Sequence, residues 1–99
     1  MEITLKSKPI RAQVLWKYTE EDKVFIIFKP NSFSLNDTGS FIWENANGDL
    51  SVLEIAEKLA QKFENADIDT VEKETLLFVE TLIKANLLYI DEFEEENYD

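Results

Sequence analysis

Ninety-nine residues with 44% apolar and 12% aromatic content suffice for one small core. The chain has no Cys and no His, which excludes disulfides, thiolate nucleophiles, imidazole bases and the usual zinc sites. Ten Lys and Arg against twenty-one Asp and Glu give a net charge of −11, a field that repels phosphate backbones and anionic lipid surfaces, so no nucleic acid and no membrane are expected as partners. No apolar run has the length to cross a bilayer, and Met1-Glu-Ile-Thr-Leu-Lys6 has neither the charged start nor the apolar stretch of a signal peptide, so a cytoplasmic location is expected.

From Ile10 to Tyr18 the chain alternates Ile10, Ala12, Val14, Trp16 and Tyr18 against Arg11, Gln13, Leu15 and Lys17, which predicts one half-buried strand. After the polar turn Thr19-Glu-Glu-Asp22, the run Val24-Phe-Ile-Ile-Phe28 between Lys23 and Lys29 predicts a central strand covered on both faces. Pro30-Asn31 permits a reversal, and Ser32-Phe-Ser-Leu-Asn36 alternates again as a third, shorter strand. Nothing later in the sequence offers an evident partner for its outer edge.

At Asn36 the period changes to that of a helix, with Asn-Asp-Thr as cap and an end near Asn47-Gly48. Ser51-Val-Leu-Glu54 reads as a capping box opening a second helix to about Phe63, with Val52, Ile55, Ala56, Leu59 and Phe63 inward. Asp67 caps a third helix from Ile68 to Ala85, Asn86 reads as a left-handed stop, and Leu87-Leu-Tyr-Ile90 leaves as an extended run. At about 100° per residue, Val71, Thr75, Phe78 and Leu82 form one stripe and Ile68, Leu76, Val79 and Ile83 another. Together they exceed the arc of about 100° that one core face needs, so the surplus meets the sheet and other helices, a ligand, or a second copy in a homodimer. The fold class is therefore α+β, a three-stranded antiparallel sheet followed by three helices. Residues 1–90 form the domain, and 91–99, with six carboxylates, form an acidic tail expected to be disordered.

No catalytic constellation is visible. Ser and Thr have no His to activate them, Gly39 and Gly48 form no phosphate-binding loop, and Asn45-Ala-Asn-Gly-Asp49 lacks the spacing of a calcium loop. The expectation is a non-enzyme without cofactor or metal.

The blocks Leu35-Asn-Asp-Thr-Gly-Ser-Phe-Ile-Trp-Glu44, Gly48-Asp-Leu-Ser-Val-Leu-Glu-Ile-Ala-Glu-Lys-Leu59, Phe78-Val79 with Leu82, and Asn86-Leu-Leu88 resemble the PqqD family over roughly residues 9 to 90. The resemblance implies a winged helix-turn-helix-like arrangement and a precursor-peptide recognition element. Such a protein binds the leader segment of a ribosomally made peptide and presents it to a modifying enzyme, such as a radical S-adenosylmethionine maturase, or to a leader peptidase. Asn45-Ala46, Thr75 and Asn86 depart from the family pattern, which has apolar residues, a branched aliphatic and a glycine there.

The family mechanism has the leader add as a further strand along the third strand, so the main chain of Ser32, Phe33, Ser34, Leu35 and Asn36 supplies affinity. Phe33 or Leu35 forms the pocket floor. Val71, Phe78 and Leu82, with Thr75 in their stripe, form the helical wall, and Glu74 and Leu77 its rim. Ser32 and Ser34 face away from that pocket. The negative field favours a guest carrying Lys or Arg. Two other classes remain: a winged-helix interaction or dimerisation subunit, and a DNA-binding regulator, against which the charge argues.

Overall fold

The computed structural model describes residues 3–63 and 66–90. The acidic tail lies outside the described residues. The element order is β1 (Pro9–Arg11), β2 (Leu15–Tyr18), β3 (Val24–Phe28), β4 (Asn31–Ser34), α1 (Asp37–Asn45), α2 (Val52–Lys62), α3 (Ile68–Lys84) and β5 (Leu88–Ile90).

The strand expected over 10–18 is two strands. β1 pairs antiparallel with β5, Ile10 opposite Tyr89, while β2 joins the sheet β2-β3-β4 with Trp16 opposite Ile26. Between them Ala12 N–H donates to Leu87 C=O and Val14 N–H to Ala12 C=O, so the ladder changes partner at this bend. On its other side β1 meets the loop after α1: Arg11 N–H donates to Ala46 C=O and Gly48 N–H to Pro9 C=O. Gly48 needs its φ of +88° there, and a Cβ on it would stand 3.0 Å from Ile10. The apolar alternation runs unbroken across the bend although the buried face changes parity: Pro9 is buried in β1 and Ile10 shares a face with exposed Tyr89, whereas in β2 Trp16 packs on the core, so partner exchange leaves no trace in period two.

β3 is central but covered on one face only. Val24 and Ile26 are fully buried, whereas Phe25 and Ile27 are half-buried and stand apart from the core. Opposite them lie Lys17 and Leu15 on β2 and Ser34 and Ser32 on β4, and Leu15 is 71% exposed. The inner face, with Trp16, Phe28, Phe33 and Leu35, closes over the helices.

The caps form as the sequence predicts. Asn36 accepts from Gly39 N–H, Ser51 and Glu54 form the reciprocal box, Asp67 accepts from Thr70 N–H, and Asn86 is left-handed at φ +65°. Trp43 of α1 is fully buried and meets Trp16 edge-on at 6.0 Å. Val52, Ile55, Ala56 and Leu59 of α2 and Val71, Thr75, Val79 and Leu82 of α3 complete the core.

Candidate functional site

β4 is an edge, since its only described partner is β3. The register decides which of its main-chain groups are free. Leu35 N–H donates to Val24 C=O at 2.9 Å, so Leu35 and, by alternation, Phe33 turn their main chain toward β3. Ser32 and Ser34 turn theirs outward. The ladder stops at Ser40: Val24 N–H donates to its Oγ at 2.8 Å, and that hydroxyl donates to Leu35 C=O at 3.4 Å. A buried hydroxyl thus takes the place of the last strand pair and ties the end of β4 to α1.

Immediately beside this end lies a groove of about 390 Å³ between β4, the start of α1 and α3. Ser34, Leu35 and Asn36 form one wall, Thr38, Gly39 and Ile42 the base, and Glu74 and Phe78 the other wall. Gly39 belongs here for a steric reason, because Phe78 occupies the place a side chain would take. Asn36 both caps α1 and lines the groove.

Five of the residues expected at a peptide site therefore converge: Ser34, Leu35, Asn36, Glu74 and Phe78. Ser34 shares the groove with Leu35 although the two lie on opposite sheet faces by register, contrary to the expected segregation; an edge residue with its main chain outward reaches the mouth from either face. Phe33 is half-buried against the core on β4, and Ser32 is exposed further along the edge. Leu77 is 62% exposed next to Phe78 in sequence, outside the groove lining. Val71, Thr75 and Leu82 are buried in the core and do not line the groove; α3 packs chiefly against α2, with β5 beside it. Thr38, Gly39 and Ile42 were not expected in a binding role; only the glycine, placed in the first turn of a helix that must approach a neighbour, carried a signal.

The family model for coenzyme PQQ synthesis protein D (PqqD) matches residues 25–88. The chain belongs to the PqqD family. That span includes β3 from its second residue, β4, all three helices and every residue of the groove. Among solved structures, the fold is similar to the PqqD portion of Methylobacterium extorquens PqqCD, determined in solution by NMR and described as a functional, stand-alone recognition element for ribosomally synthesized and post-translationally modified peptides. The TM-score is 0.73 at 21% identity, over 89% of this chain and 95% of that one. Comparison with curated proteins gives no match. Among the described residues of this PqqD-family chain, no helix is long and apolar enough to cross a membrane.

Proposed function

We propose that this chain is a non-catalytic recognition element that binds the leader segment of a ribosomally made precursor peptide and presents it to a modifying enzyme or leader peptidase. The leader adds antiparallel or parallel along β4, bonding to the outward amides and carbonyls of Ser32 and Ser34, while alternate side chains enter the groove against Leu35 and Phe78. The hairpin of β3 and β4 then plays the wing, and α1 to α3 the helical part, of a winged helix-turn-helix-like unit.

The observation that carries this reading is the coincidence of a strand edge left unpaired among the described residues with an adjoining groove of about 390 Å³. Membership of the PqqD family and the likeness to a described recognition element support it. Titration of isotope-labelled protein with candidate leader peptides is the test. The amides of Ser32 and Ser34 and of the Glu74 to Phe78 turn should shift, and a proline in the paired leader segment should abolish the effect by removing a ladder donor. Unchanged binding of the proline peptide would exclude strand addition.

A self-associating subunit is the competing reading, and the open sheet face bearing Leu15, Phe25 and Ile27 favours it. Sedimentation of the full chain over a concentration series decides: a dimer that persists on dilution supports this reading, a monomer excludes it.

A further inference from the structure

The groove is not uniformly apolar. Leu35, Ile42 and Phe78 line it together with one carboxylate, Glu74. Glu74 is exposed, and among the described residues the one ion pair joins Lys23 to Glu21, so Glu74 has no cationic partner there. Ser34 and Leu35 also border a second hollow of about 450 Å³, lined by Glu20, Glu21 and Lys23 of the β2–β3 turn. Its lysine is the one already paired, at 3.7 Å from Glu21, which leaves Glu20 uncompensated on that side as well.

Spacing links the carboxylate to the apolar wall. Glu74 and Phe78 are one turn apart on α3, a rise of about 6 Å. Same-face side chains of an extended strand recur about every 6.6 Å. The two repeats match, so a guest paired along β4 can set two successive groove-facing residues against Phe78 and Glu74, which line the groove with Ser34 and Leu35.

Resting on the strand-addition reading, we propose that the guest carries an apolar residue and, two positions from it, a lysine or arginine, the first received by Phe78 and Leu35 and the second by Glu74. The cation's methylenes lie along the apolar wall while its head stays in water beside the carboxylate. Because the pair is exposed, its contribution is modest, about a two- to fivefold preference over a neutral residue, and it weakens with salt.

The test is selection of a random-peptide display library on the immobilised full chain, in parallel with Glu74→Gln and Glu74→Lys. The unaltered chain should enrich peptides with Lys or Arg two residues from an apolar side chain. Glu74→Gln should lose the basic preference while keeping the apolar one, and Glu74→Lys should favour Asp or Glu at that position. Identical charge preference in all three pools overturns the proposal. An enriched peptide is then titrated into the labelled chain: shifts at Ser32 and Ser34 with no charge change between pools leave strand addition standing and remove only the role of Glu74. No enrichment, or shifts away from β4 and α3, overturns both.

Discussion

Gly39 and Phe78 meet at the base of the groove: a Cβ on Gly39 would stand 2.9 Å from Cζ of Phe78 and 3.2 Å from the Asn36 oxygen that caps α1. Glycine in the first turn of a helix costs about 1 kcal/mol in propensity relative to alanine, so its presence reflects the space that Phe78 takes. In Gly39→Ala the propensity gain and the displaced contacts oppose each other, and stability should change by less than about 1 kcal/mol. The ring, half-buried and at the end of a flexible side chain, swings into the groove. Calorimetric titration with a bound leader peptide should then show about tenfold weaker binding, the loss of about 1.5 kcal/mol of apolar burial. Unaltered affinity would mean that the guest does not use this base.

Adjacent residues of β4 should respond in opposite ways to proline. The Ser34 amide faces outward, so Ser34→Pro leaves the bonds to β3 in place and the fold intact, as an edge strand tolerates. It removes one donor from the guest, and peptide affinity should fall about two- to tenfold. Phe33→Pro removes a donor aimed at β3 and should lower the unfolding midpoint in denaturant whether or not peptide is present. Equal loss of stability in both variants would show that the register differs.

The contrast between what the sequence discloses and what it hides follows the range of the interactions. Asn36, Ser51 with Glu54, Asp67 and Asn86 were legible because each cap closes within a few residues. The break between β1 and β2 was not, because it is imposed by Leu87 and by β5, far away in sequence. The same limit splits the site. Leu35, Asn36, Glu74 and Phe78 follow from strand parity, helical spacing and family resemblance. Val71, Thr75 and Leu82 share a stripe with Phe78, and periodicity alone does not say which edge of a broad stripe the core takes. Thr38 and Ile42 enter the groove only because α1 approaches α3 in space.

Ser40 holds the end of the β3–β4 ladder. Its Oγ is the acceptor for Val24 N–H at 2.8 Å, and both residues are buried. Ser40→Ala leaves that amide without a partner and should cost about 1–3 kcal/mol of stability in denaturant unfolding. Exchange of the Val24 amide should accelerate more than that of other β3 amides. If the loss is negligible, the amide has found Leu35 C=O and the strand pair has closed.

Arg11, read from the sequence as merely the polar side of a strand, closes the C-terminus of α1. One guanidinium nitrogen donates to Trp43 C=O and Glu44 C=O, each at 2.9 Å, and the group lies 5.6 Å from the Trp16 ring centre. The last turn of α1 has no basic residue of its own, so this contact from β1 supplies both the donors and the charge that a helix end favours. Arg11→Lys retains the charge but not the planar group over the indole, and should cost about 1–2 kcal/mol with a shift in tryptophan fluorescence. A variant as stable as the parent would assign the cap to the dipole alone.

Thr75 separates a structural from a binding role on α3. It is fully buried, and among the described residues its hydroxyl has no hydrogen-bond partner. Thr75→Val keeps the shape and removes an unsatisfied polar group, so the protein should gain about 1 kcal/mol in denaturant unfolding. Because Thr75 does not line the groove, peptide affinity should stay the same. A gain in stability with altered affinity would return Thr75 to the peptide wall that its stripe with Phe78 suggested, whereas a loss of stability would show that the hydroxyl is bonded in the native state.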